Sequence, residues 1–157
     1  MELREIGKII IAVIICQLAG IIGSFFTADS ISGWYATLVR PDFSPPNWIF
    51  APVWISLYTL MGISLYLVWK EKDKQNITPA LLVFFAQLVL NAIWSIVFFG
   101  LQSPFYAFII IIFLWVLIAG SIYFFYRISK TAAYLLVPYI LWVSVAAILN
   151  YYIWILN

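Results

Sequence analysis

Long uncharged runs divide the chain into segments of membrane-spanning length. The 14 charged side chains (8 basic and 6 acidic) leave four such runs, at residues 9–28, 43–69, 75–126 and 131–157. About 20 helical residues cross a hydrocarbon core of roughly 30 Å, so the run over 75–126 is long enough for two helices. Pro104 divides it, because proline starts a helix well and disfavours helical geometry in the preceding residue. The pattern predicts five spans, at about residues 6–26, 47–69, 79–101, 105–126 and 133–155.

The composition places these helices in a membrane. Hydrophobic residues make up 66% of the 157 residues and charged residues only 9%, whereas a soluble domain carries about 25% charged residues. We therefore expect an all-α integral membrane protein, with residues 1–157 forming a single five-helix transmembrane bundle. The first span is expected to be a membrane helix and not a signal peptide, because its apolar stretch exceeds the usual length of about 7–15 residues.

The distribution of Lys and Arg predicts the orientation. In a five-span chain, seven of the eight basic residues fall on the side of the amino terminus, and only Arg40 falls on the other. Cytoplasmic connections carry an excess of Lys and Arg, so we expect a bacterial inner-membrane protein whose amino terminus is cytoplasmic. The lipid bilayer is thus an expected partner. The small net charge of +2 is too scattered for a nucleic-acid surface.

Several kinds of chemistry are excluded by missing residue types. The chain has no histidine and one cysteine, Cys16, so histidine ligation of a metal and a Ser-His or Cys-His nucleophile are excluded. We expect no metal site. Every carboxylate lies at a terminus or in a connection, which argues against an ion-coupled transporter and a carboxylate acid-base enzyme.

Aromatic and neutral polar residues recur at helical spacing within three of the predicted spans, where each set shares one helix face. The residues are Trp54, Tyr58, Gln87, Asn91, Trp94, Tyr139, Trp142, Ala146 and Asn150. Amides in membrane helices often serve only to join helices, and a deep tryptophan often serves packing. Structural contacts and a ring-lined ligand pocket both fit this pattern.

Two further features concern packing and the first connection. The pairs Ala19–Gly23 and Gly20–Ser24 permit close helix approach, either inside the chain or at a dimer face. The connection over 27–46 contains Trp34, Tyr35 and three prolines. Loops of this length are usually functional or disordered. Its apolar content favours an ordered loop that folds over the helix ends as a lid.

Three blocks of sequence resemble the translocator protein family (TspO/MBR, the peripheral-type benzodiazepine receptors), in particular its bacterial members. They are WYATLVRPDFSPPNWIFAPVWISLYTLMGISLYLVWKE at 34–71, LVLNAIWSIVFFG at 88–100 and VPYILWVSVAAILNYYIW at 137–154. The resemblance implies a five-helix bundle, commonly a homodimer, with a pocket closed by the first loop. The ligands it implies are tetrapyrroles such as protoporphyrin IX, isoquinoline carboxamide and benzodiazepine drugs and, in animals, cholesterol.

The resemblance also implies a set of ligand-binding residues. By position they are Tyr35, Pro45, Trp54, Tyr58, Asn91, Trp142 and Ala146, to which the helical faces add Trp94 and Tyr139. Trp54 and Asn91 are expected to donate hydrogen bonds to a ligand carbonyl or carboxylate. Trp54 and Trp142 are expected to act catalytically if the protein, like bacterial relatives, promotes light- and oxygen-dependent breakdown of protoporphyrin IX.

Two departures from the family pattern bear on the ligand. Ser44 stands where many relatives have histidine, which favours a metal-free porphyrin as ligand or substrate, with no separate cofactor. No basic residue follows Tyr151 and Tyr152, as the animal cholesterol motif requires. The open alternatives are a porphyrin-degrading enzyme, a transporter or stress-sensing receptor for flat hydrophobic ligands such as porphyrins or sterols, and a passive helical assembly protein.

Overall fold

Five helical spans form the whole architecture. The computed structural model describes residues 1–157 and contains no strand. Its helices are α1 (Leu3–Ser32), α2 (Phe50–Trp69), α3 (Thr78–Ser95), α4 (Pro104–Ile128), α5 (Lys130–Leu135) and α6 (Val137–Leu156). With α5 and α6 taken as one span, five segments are long and apolar enough to cross a membrane. The predicted all-α, five-helix transmembrane bundle is confirmed.

The first helix is longer than the sequence predicts, and the first connection is shorter. The helix was expected to end near residue 26, but α1 continues to Ser32 and the connection begins at Gly33. Ser30 is buried, and its hydroxyl donates to the carbonyl oxygen of Phe99 at 2.9 Å. Phe26 packs where Gly100 leaves room, since a Cβ on Gly100 would lie 2.7 Å from the ring. These contacts hold the polar residues 27–32 in helical form.

The last span is broken where one continuous helix was expected. Helix α5 begins at Lys130 because the Ser129 hydroxyl caps it, accepting a hydrogen bond from the Ala132 amide at 3.3 Å. Leu136 separates α5 from α6, and Pro138 lies in the first turn of α6, a position that tolerates proline. On the neighbouring helix, the Ser64 hydroxyl donates to the Ala132 carbonyl at 2.7 Å, which joins α2 to α5.

Small residues on α1 and α2 allow these helices to approach closely. A methyl group on Gly62 would overlap the backbone of Val13, with the Val13 amide nitrogen 2.8 Å away. A methyl group on Gly20 would lie 2.6 Å from the ring of Tyr58, and one on Gly23 would lie 3.0 Å from the Ser95 hydroxyl. Gly20 and Gly23 of α1 therefore face the inside of the chain, whereas Ser24 is exposed. Small residues are the usual means of close helix approach in lipid.

The helices are arranged so that one end of the bundle keeps an internal space. Helix α1 packs against α2 and α3, α3 against α4, and α4 against α5 and α6, while α2 packs against α5. No comparably extensive contact joins α2 to α6. The contacts between these two helices are made by large side chains, such as Phe50 with Trp142 and Trp54 with Tyr139.

Gly62→Ala tests the close crossing of α1 and α2. We expect it to lower the free energy of unfolding by about 1–3 kcal/mol, because the methyl group overpacks the contact with Val13. Gly7→Ala is the matched control, since a Cβ there has no atom within 4 Å and alanine stabilises a helix by up to about 1 kcal/mol. Thermal unfolding in one detergent measures both variants. Equal stability of the two would contradict the close crossing.

A candidate ligand cavity between the helices

A cavity of about 440 Å³ lies between α1, α2, α3, α6 and the first loop. Small-molecule sites are concave, mostly apolar and about 300–1,000 Å³ in volume, and the lining here is likewise mostly hydrophobic. Six of the nine residues that the sequence analysis singled out line it: Tyr35, Trp54, Tyr58, Trp94, Trp142 and Ala146. The other three, Pro45, Asn91 and Tyr139, lie elsewhere.

Helical spacing positions the rings on two facing walls. Trp54 and Tyr58 stand one turn apart on α2, with ring centroids 5.6 Å apart and planes 28° apart, so they are stacked. Trp142 and Ala146 stand one turn apart on α6, across the cavity. Phe50 bridges the walls, with its ring edge-on to Trp142 at 6.1 Å between centroids.

The end of α3 supplies a third wall through a widened turn. Residues Ile96–Gly100 form a π-helical turn, closed by a hydrogen bond of 2.9 Å from the Leu101 amide to the Ile96 carbonyl. Such turns are frequent at functional sites. Phe98 and Phe99, although successive in sequence, both line the cavity, and the ring of Trp94 stacks on Phe98 at 5.4 Å.

Asn91 and Tyr139 belong to a buried polar chain behind the cavity. The Tyr58 hydroxyl donates to Asn91 Oδ1, Asn91 Nδ2 donates to the Tyr139 hydroxyl at 2.9 Å, and that hydroxyl donates to Gln87 Oε1 at 2.7 Å. Asn91, Tyr139 and Gln87 are each 1% exposed. Asn91 was expected to donate to a ligand, but it lies outside the cavity lining, and its Oδ1 and one N–H of its Nδ2 bond within the protein. The amides of this chain join α2, α3 and α6.

Two residues of the cavity lining, Tyr35 and Trp142, each carry a buried donor without a partner. The Tyr35 hydroxyl and Trp142 Nε1 are buried, and neither has a partner within the chain. Asn150, by contrast, accepts from Trp94 Nε1 at 3.0 Å and donates to the Pro104 carbonyl at 2.8 Å. Leaving a buried donor unpaired costs about 1–3 kcal/mol. A ligand acceptor is therefore expected at Tyr35 and Trp142, and not at Asn91.

The first loop closes the cavity from one end. Tyr35 packs against Phe50 and Phe99, with centroids 6.5 and 5.9 Å apart. Farther along, Val39 exchanges two hydrogen bonds with the side chain of Asn157, at 3.0 and 2.9 Å. Pro45 lies on the outer side of this loop, in a shallow depression and not in the cavity. The loop is ordered, as its apolar content predicts.

The wall contributed by α1 is absent from the sequence analysis. Gln17, Gly20, Ser24 and Thr27 all line the cavity. The Gly20–Ser24 spacing was the available signal, but spacing alone does not distinguish a cavity wall from a packing face.

The cavity offers stacking surfaces and neutral donors, and little else. No carboxylate, imidazole or thiol is among its lining residues. No group of three or more His, Cys, Asp or Glu side chains is placed to hold a metal ion. The arrangement can hold a flat apolar molecule and orient its acceptors with neutral hydroxyl, indole and amide groups.

Tyr139→Phe tests the structural assignment of the buried polar chain. Removing this hydroxyl leaves Asn91 Nδ2 and Gln87 Oε1 without partners, so we expect the free energy of unfolding to fall by about 1–3 kcal/mol. Ligand affinity should stay within a factor of about 2, since the ring remains. Tyr106→Phe is the control because Tyr106 is 63% exposed. A variant with full stability and lost affinity would place Tyr139 in the ligand site instead.

Comparison with known proteins gives a consistent result over nearly the whole chain. The model of the TspO/MBR family matches residues 12–155. The tryptophan-rich protein TspO of Archaeoglobus fulgidus is 43% identical, over 98% of this chain and 99% of its own. The protein of the same name from Chlorobaculum tepidum is 40% identical, over 98% of both chains. The translocator protein of Bos taurus is 36% identical, over 88% of this chain and 83% of its own.

Proposed function

The chain belongs to the TspO/MBR family, and on that premise we propose that it binds a tetrapyrrole such as protoporphyrin IX in the cavity between its helices. The observation that carries the proposal is the pairing of ring-lined walls with two free donors, Tyr35 and Trp142. Flat aromatic ligands stack on such rings. Carbonyl or carboxylate oxygens of the ligand would satisfy the two donors.

The residues available favour a metal-free macrocycle. The chain has no histidine, and Ser44 occupies the position where many relatives have one. Acceptor-bearing isoquinoline carboxamide and benzodiazepine drugs fit the same chemistry and are proposed to compete with the porphyrin. A transporter or stress-sensing receptor would use the same binding step without turnover.

We further propose the membrane, the orientation and the oligomeric state in which the protein binds its ligand. The protein is a multi-pass integral membrane protein, and its outward side chains include many exposed apolar ones that suit a lipid environment. The excess of Lys and Arg at the end opposite the cavity supports an amino terminus in the cytoplasm of a bacterial inner membrane. A homodimer is part of the same proposal, on the strength of the family resemblance.

Titration with protoporphyrin IX in the dark tests binding. We expect saturable quenching of tryptophan fluorescence in detergent-solubilised protein. Trp142→Phe should weaken binding by about 10- to 100-fold, because it keeps a ring but removes a hydrogen bond to a charged acceptor, which contributes about 1.5–3 kcal/mol. Trp154→Phe is the control, since Trp154 packs against Phe105 and Phe108 outside the cavity. Linear quenching in the wild type, without saturation, would contradict the proposal.

Light- and oxygen-dependent porphyrin breakdown is the catalytic form of this function. An illuminated porphyrin generates its own oxidant from oxygen, so the protein need only hold the macrocycle where nearby tryptophan rings can donate electrons or channel the reaction. The rings of Trp54 and Trp142 both line the cavity, which supports that role.

Illumination in air separates the catalytic form from simple binding. We expect the protein to accelerate loss of porphyrin absorption over several equivalents, with a new product band, and we expect Trp54→Phe and Trp142→Phe to slow that loss. Free porphyrin at equal concentration is the control. Protection of the bound pigment would favour a receptor or carrier. Unchanged kinetics in both variants would refute the role of these two residues.

A further inference from the structure

A second concavity lies on the outer side of the first loop. It is a shallow depression of about 580 Å³, lined by residues of the segment 38–48 that include Arg40, Ser44, Asn47 and Trp48. Arg40 is the one basic residue in the connections at this end of the bundle. It is half-buried and has no carboxylate partner, since the ion pairs of the structure join Glu5 to Lys8 and Glu71 to Lys74.

Two contacts hold the Arg40 side chain in place. Its guanidinium carbon lies 4.8 Å from the centroid of the Tyr35 ring, a cation–π distance. Its Nη1 donates to Asn47 Oδ1 at 3.2 Å. A guanidinium carries five N–H donors in a planar fork, which matches the two oxygens of a carboxylate. The hydrogen bond to Asn47 uses a single N–H of the guanidinium, so its other N–H groups remain available to an anion.

Neutral donors accompany this charge. The Ser44 hydroxyl is buried without a hydrogen-bond partner and lines the same depression. Tyr35 lines the cavity, its hydroxyl likewise has no partner, and the Arg40 guanidinium lies over its ring. Asn47 lines both the depression and the cavity, so the two concavities share a wall. A ligand in the cavity that extended past Asn47 would approach the depression that Arg40 lines.

We propose that Arg40 binds a carboxylate of the molecule held in the cavity, and that the site thereby selects flat hydrophobic acids over their neutral esters. Ser44 supplies a second, uncharged donor to the same carboxylate. The proposal rests on the proposed function, because it concerns the acid group of a ligand whose rings occupy the cavity. The first loop would then select ligands that carry a carboxylate, and the rings of α2 and α6 would stack on the flat part of the ligand.

The test compares protoporphyrin IX, a dicarboxylic acid, with its dimethyl ester. In phosphatidylcholine nanodiscs we expect the wild type to bind the acid about 10-fold more tightly than the ester. Arg40→Gln should weaken binding of the acid to the level of the ester and leave the ester unchanged. Arg40→Lys should fall between, because it keeps the charge and loses the planar fork. Arg127→Gln, at the opposite end of the bundle, is the control and should match the wild type.

Each other outcome overturns the proposal in a distinguishable way. If the wild type binds the acid and the ester equally, Arg40 does not form a carboxylate site, and the proposal that the ligand binds in the cavity is unaffected. Equal weakening of both ligands by Arg40→Gln means that Arg40 only holds the loop. Loss of the acid preference in phosphatidylglycerol nanodiscs assigns Arg40 to a lipid phosphate. Failure of both ligands to bind the wild type contradicts the proposed function itself.

Discussion

The buried chain of hydrogen bonds from Tyr58 through Asn91 and Tyr139 to Gln87 is the contact on which the cavity depends. In lipid, no hydrophobic driving force brings helices together, so hydrogen bonds and close van der Waals packing determine their positions. This chain fixes α2, α3 and α6 at one level. Toward the first loop the same three helices carry large rings, and the space between those rings is the cavity.

Helices α1 and α2 pack closely against each other, whereas two hydrogen-bond donors of residues that line the cavity have no partner. Gly62 brings the backbone of α2 against Val13 of α1, which leaves no room for a ligand at that crossing. By contrast, the Tyr35 hydroxyl and Trp142 Nε1 are buried without partners. Each costs about 1–3 kcal/mol while it stays unpaired, and neither is needed to hold the helices together. Polar groups left in this state on a ring-lined wall are suited to recognising an acceptor on a ligand.

The membrane spans can be predicted from the sequence because hydropathy and charge vary over whole segments. Whether a given residue lines the cavity depends instead on how deeply it is buried between the helices. Residues 27–32 look like a polar loop, yet the contact of Ser30 with Phe99 keeps them helical. Asn91 and Trp94 share one helical face, so spacing treats them alike. The structure separates them, because Asn91 lies in the buried polar chain and Trp94 on the cavity. The free donors and the stacking of Arg40 on Tyr35 depend on contacts between distant segments, which periodicity within one helix does not encode.

An experimental structure of the protein with protoporphyrin IX bound would test the central claim most directly. The account predicts the macrocycle between α2 and α6, with ligand oxygens within hydrogen-bond distance of Trp142 Nε1 and the Tyr35 hydroxyl, and with Asn91 still bonded to Tyr58 and Tyr139. A macrocycle bound on the lipid-facing surface, or one that displaces Asn91 from these partners, would contradict it.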